Sequence, residues 1–189
     1  RVAKRFELMI DWGRLSGLRA REICFLKIKN LPQRETAERA RLSERLVPTS
    51  LSVTKGGRKE VVRVPPSLVL ETWDYIDLYR VQIVKKFICI HKKDRRRAKY
   101  IEPPSIFLSD KTGQNLCPIS FSISIRKAYL EAVRKGKLTE DERVWAHGLR
   151  HNFITKTLKA NDEAGYKRPE RLTMQSSRHS SLDAMEVYA

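Results

Sequence analysis

One stretch of this chain announces β structure with its turn included. Leu51-Ser-Val-Thr-Lys55 and Glu60-Val-Val-Arg-Val64 flank Gly56-Gly57. Both arms hold β-branched residues, and paired glycines reach the positive φ angles of a tight hairpin turn. Nearly everywhere else the apolar residues recur at helical spacing. Residues 2–16 carry Phe6, Met9, Ile10, Trp12 and Leu15 in such a pattern, and Ser16-Gly17 then turns the chain into a second helix from Arg19 to about Leu26. Further helices are predicted from Pro66 to about Tyr79, Phe121 to Val133, Leu149 to Leu158, and from near Ser181.

Three segments are less regular. Residues 31–49 are polar and fit a solvated helix or a loop equally well. Ser105-Ile-Phe-Leu-Ser109 is a short strand candidate before an Asp110–Gly113 turn, and residues 160–170, with Gly165 and Pro169, read as a loop. The expectation is a mainly α fold with one small β-hairpin, an α+β class. At 189 residues it fills one domain with room for a real core.

Charge narrows the partners. Lys and Arg number 39 against 22 Asp and Glu, a net +17, and such an excess points to a polyanion. No stretch has the basic amphipathic pattern that anionic membrane surfaces favour. No apolar run approaches the roughly 18 residues needed to cross a bilayer, and the first residues lack a signal-peptide pattern. Double-stranded DNA is the expected partner, with neither a membrane nor a small-molecule cofactor. Cys24, Cys89 and Cys117 are widely spaced and form no CxxC, which supports neither a zinc ribbon nor a disulfide framework. Cys24 and Cys89 stand among apolar residues and read as buried small side chains in a reducing, cytosolic setting.

Several residues could break a phosphodiester without a metal. The pentacoordinate phosphorane carries extra negative charge, which guanidinium forks match. Arg150 follows His147 by three residues, so on a helix their Cβ atoms lie roughly 5–6 Å apart. His147 can relay a proton while Arg150 clamps an oxygen. His151 completes an i,i+4 histidine pair, but no acidic residue accompanies it and Arg150 would repel a cation, so no metal site is expected. Tyr188 is the candidate nucleophile, and its phenol, with a reference pKa near 10, needs nearby cations. His179 precedes it by nine residues (179 to 188), a spacing that puts the two on opposite sides of a straight helix. Lys55, at the hairpin turn, can donate a proton to a leaving 5′-oxygen, and Lys59 could act similarly. Lys92, Lys93, Arg95, Arg96 and Arg97 form a basic run that reads as a solvated loop or a phosphate-gripping arm.

In order, these residues resemble the catalytic domain of the tyrosine recombinases, the phage-integrase family. Ser16-Gly17-Leu18-Arg19 with Glu22 matches the segment of the first catalytic arginine and its acidic support. Val53-Thr54-Lys55-Gly56-Gly57 matches the hairpin lysine, and His147-Gly-Leu-Arg150-His151 the H-x-x-R box. His179 and Tyr188 match the final histidine and the nucleophile. Arg178 stands where the family usually has Gly, which implies altered DNA contact or an altered loop backbone. The stretches from Arg19 to Lys55 and from Arg150 to His179 are longer than usual.

The resemblance implies site-specific recombination or integration through a 3′-phosphotyrosyl link at Tyr188, without ATP or metal. The enzyme would act as a DNA-bound homo-oligomer, a tetramer, from a prokaryotic mobile element. It also implies that residues 1–189 are the catalytic domain alone, without the N-terminal DNA-clamping domain and the C-terminal tail. Two other readings stay open: a type IB topoisomerase, and a basic DNA-binding module without catalysis.

Overall fold

Helix α1, Val2–Ser16, is central because one of its faces is buried along its length. Arg5, Leu8, Met9, Trp12, Gly13 and Ser16 recur at the three- and four-residue steps that line one side of a helix. The computed structural model describes residues 2–52, 60–94, 96 and 98–178. Trp12 is wholly buried, and its Nε1 donates to Thr72 Oγ1 at 3.0 Å on helix α4, Pro66–Tyr75. On another side helix α7, Ala146–Glu163, approaches closely at Gly13. A Cβ there would lie 2.9 Å from Leu149 Cδ1 and 3.1 Å from its Cβ, so any larger residue would force Leu149 to shift.

The remaining elements dock around α1, α4 and α7. Helix α2 is Ala20–Cys24, and a 3₁₀ turn covers Ile28–Asn30. Residues 31–49, ambiguous in sequence, hold helix α3, Arg34–Leu42, and the start of the sheet. Ala37 buries the inner face of α3, and Arg34 donates to Asp74 and Asp77, each at 2.8 Å. Strands β1, Val47–Leu51, and β2, Glu60–Val64, pair antiparallel with Val47 opposite Val64 and Leu51 opposite Glu60. The first arm therefore begins four residues before the expected Leu51. Val47, Thr49 and Leu51 alternate inward, so the core-facing side chains decide the strand's extent even though Pro48 and Thr49 lie in a polar stretch. The expected turn, residues 53–59 with Lys55 and Lys59, lies outside the described residues.

The helix predicted from Pro66 to Tyr79 does not stop there. It passes through a π turn, Ile76–Arg80, into helix α5, Val81–Lys93. The basic stretch expected as a loop or arm is thus helical as far as Lys93. Ile83, Val84 and Phe87 supply the reason, burying an i, i+1, i+4 stripe with Tyr100 and Leu108. Cys89, expected to be buried, is exposed because it lies beyond that stripe on the outer face. Cys24 is buried, and all three cysteines are free thiols.

Residues 105–109 do not form the expected strand. They make two isolated bridges, Lys27 with Ser105 and Leu108 with Asn115, while Ile106, Phe107 and Leu108 are fully buried. Pro103 and Pro104 have no N–H to extend the ladder on that side. The turn after them is present: Gly113 has φ +67°, and Tyr100 donates its hydroxyl to the Gly113 carbonyl at 2.6 Å. Helix α6 spans Pro118–Arg134. The stretch expected as a loop, residues 160–170, is helical at both ends: α7 runs on to Glu163, and a further helix, α8, Pro169–Ser177, begins at its end with Pro169 in the first turn. Asn161 Nδ2 donates to Thr173 Oγ1 at 3.0 Å and joins α7 to α8. No described helix is long and apolar enough to cross a membrane.

Candidate active site

The site grows from the end of α1. Gly17 adopts φ +63° and its N–H donates to the Gly13 carbonyl at 3.1 Å, closing the helix in the left-handed way glycine favours. A Cβ at Gly17 would lie 2.5 Å from Phe153 Cδ1, so the turn is pressed against α7. The chain then re-enters helix at Arg19, the residue before α2, with extended φ −75° and ψ 154°. Glu22 Oε2 accepts from the Arg19 backbone N–H at 2.9 Å, and Glu22 Oε1 accepts from Arg19 Nη1 at 3.1 Å. This is the reciprocal half of a capping box, and it fixes both backbone and guanidinium of Arg19.

Arg150 reaches the same turn from α7. Its residue is 1% exposed, and Nη1 donates to the Gly17 carbonyl at 2.6 Å while Nη2 donates to the Ser177 carbonyl. One side chain thereby links the turn before Arg19 to the end of α8. The sequence reading of Arg150 as a phosphate clamp did not foresee these carbonyl contacts. They are the reason it can be buried, since a guanidinium with satisfied N–H groups tolerates low-dielectric surroundings.

His147 sits exposed on the first turn of α7, and its ring meets that of His151 edge-on at 4.6 Å between centroids. Partial burial, then the charges of His151, Arg150 and Arg19, push its pKa below the ordinary histidine value. The uncharged imidazole is thereby favoured, and both arginines contribute to that. Among the described residues, no group of three or more His, Cys, Asp and Glu is placed to hold a metal ion.

Arg178, expected to contact DNA, has its guanidinium turned inward. Its side chain is 7% exposed and donates to Glu22 Oε2 at 2.8 Å, Glu22 Oε1 at 3.2 Å and Glu60 Oε2 at 2.6 Å. Burial pushes the Glu22 carboxyl up, but the hydrogen bonds and charges of Arg178 and Arg19 outweigh it and hold the group below the usual carboxylate range. Burial likewise works against the Arg178 charge, and the two carboxylates overcome it. In the sequence Glu60 stood out only as the start of the hairpin's second arm. Its signal was an acidic residue opening a strand in a chain rich in cations.

The structure thus gathers Arg19, Glu22, His147, Arg150 and Arg178. Lys55, His179 and Tyr188 lie outside the described residues, as do Arg95 and Arg97. Lys92, Lys93 and Arg96 are exposed at and just beyond the end of α5, where basic groups complement the helix dipole.

The solved structure of XerA recombinase superposes with a TM-score of 0.63 at 19% identity, covering 99% of this chain and 53% of that one. The fold is tyrosine-recombinase catalytic-domain-like. The integrase from mycobacterium phage Brujita shares this recombinase fold with a TM-score of 0.52 at 23% identity, covering 100% of this chain and 48% of that chain. The chain spans about half the length of these recombinase structures. No family model matches the sequence, and no curated protein does.

Proposed function

We propose that this chain carries the catalytic site of a site-specific DNA strand transferase. The observation that carries the reading is the Arg150 side chain, which joins the turn before Arg19 to the residue two before His179. Its two contacts support treating Arg19, Arg150, His147 and the segment leading to the last histidine as parts of one site. The net charge of +17 suits a DNA substrate.

In this reading the Tyr188 oxygen attacks the scissile phosphorus, and the bond to the 5′-oxygen breaks as the phosphotyrosyl bond forms. Lys55 gives a proton to the leaving 5′-oxygen. Arg19 and Arg150 bear on the charged phosphorane, and His147 and His179 contact the phosphate and assist proton transfer. Attack by a 5′-hydroxyl from another strand reverses the step and restores the tyrosine. Exchange between two duplexes calls for several protomers, and a tetramer on DNA is the proposed working form.

The test is incubation with a sequence-randomised pool of nicked duplexes, followed by a denaturing gel for protein-linked DNA. Wild type is expected to give a covalent band that Tyr188→Phe abolishes. A band that survives in Tyr188→Phe, or none from wild type, overturns the reading.

A further inference from the structure

Arg178 occupies a backbone conformation that ordinarily selects glycine. It caps the end of α8 with φ +60° and ψ 41°, the left-handed region, and glycine would enter it without crowding a Cβ. Something must favour an arginine there. Its guanidinium lies between two carboxylates from elements far apart in sequence: Glu22 on α2, and Glu60 at the first position of β2. Glu22 also holds the backbone and guanidinium of Arg19. Glu60 follows Lys55 by five residues (55 to 60), and His179 follows Arg178 directly. Three chain segments that lead to proposed catalytic groups therefore meet at one buried cation.

We propose that Arg178 is a positioning residue that clamps the start of β2, at Glu60, onto the Arg19–Glu22 cap. The proposal rests on the strand-transferase reading and adds a residue to it. Arg178 acts through Glu22 and Glu60, and its guanidinium is committed to them rather than to the substrate. A planar fork suits this task because it can address two carboxylates at once, whereas an ammonium cannot reproduce both contacts in one geometry. Glycine at this position would satisfy the backbone and leave the hairpin tethered only through its strand pairing and core face.

The experiment compares wild type with Arg178→Gly, Glu60→Gln and the double variant, on the full chain. Three readouts are taken: amide exchange of residues 47–51 and 60–64, affinity for the randomised nicked duplexes, and the rate of covalent adduct formation. Arg178→Gly is expected to speed exchange in both strands about tenfold and to slow adduct formation by at least about tenfold, with affinity changed less than about twofold. Glu60→Gln, a milder change at a partly exposed carboxylate, shifts the same readouts in the same direction. The double variant loses no more than Arg178→Gly, because both substitutions break one contact.

Additive losses in the double variant, or unchanged strand exchange in Arg178→Gly, overturn the clamp. An adduct rate in Arg178→Gly equal to wild type overturns the positioning role while leaving the strand-transferase reading intact. No adduct from wild type overturns that reading and this proposal with it.

Discussion

At the scale of single residues, one group of arginines lies inside the protein. Arg5, Arg80 and Arg150 are buried, and the Arg178 side chain nearly so. Each is held by oxygen acceptors. Arg5 donates to the Leu108 carbonyl at 2.5 Å and to Asp110 at 2.6 Å, and Arg80 to the Ser105 carbonyl at 3.0 Å and the Pro103 carbonyl at 2.6 Å. Five donors in a weakly hydrated fork let one side chain gather several loop carbonyls, which makes these residues internal struts. Glu22 is the acidic counterpart. Its carboxyl is held below the usual range when folded, so its contribution to stability is complete above the ordinary glutamate pKa and fades as pH falls through the depressed folded value. Glu22→Gln is expected to cost about 3 kcal/mol at neutral pH, because Arg178 is left buried without its main partner. Urea unfolding from neutral pH to acid should show that deficit shrinking. A deficit constant with pH would mean that Glu22 carries no charge in the folded protein.

At the scale of elements, the turn between α1 and α2 sets how the Arg19 segment meets α7. Two glycines allow the conformational and steric contributions to be separated. Gly136 has φ +66° with nothing near its missing Cβ, and Gly17 has φ +63° with Phe153 in the way. Gly136→Ala is expected to cost about 1 kcal/mol from backbone strain alone. Gly17→Ala should cost about 2–4 kcal/mol, adding the displacement of Phe153. Equal losses in chemical denaturation would show that α7 gives way freely.

Elements were legible where periodicity was unopposed. Helix α1 and the Ser16-Gly17 turn follow directly from apolar spacing and a glycine, and α6 needed three residues added at its start and one at its end. Charge obscured others. The α5 stripe of Ile83, Val84 and Phe87 was outweighed by the lysines beside it, and α8 begins at Pro169, which also fits a loop. Strand β1 was displaced because its inward residues, Val47 and Thr49, stand in a polar context, and the partner strand that buries them is not visible locally.

At the scale of the whole molecule, the surplus of cations predicts behaviour toward DNA. If phosphate contacts dominate, affinity for duplex DNA should fall on the order of a thousandfold between about 50 and about 200 mM salt. Lys92→Ala with Lys93→Ala should flatten that dependence by about two in the log–log slope, roughly one per contact. An affinity indifferent to salt would contradict the charge-based reading, and an unchanged slope would remove these two lysines from the interface.

Local pattern along the chain is enough for the class of the fold, the presence of one hairpin among helices, and the ordered residue set that resembles a recombinase site. These properties are local: spacing, turn chemistry and residue type act over a few positions. Which of those residues meet, and what each charge faces, follows from how distant segments pack. Arg150 links Gly17 to Ser177, and Arg178 turns from the expected DNA contact toward Glu22 and Glu60. A guanidinium's role depends on the oxygen atoms that surround it, and here those come from segments more than a hundred residues apart.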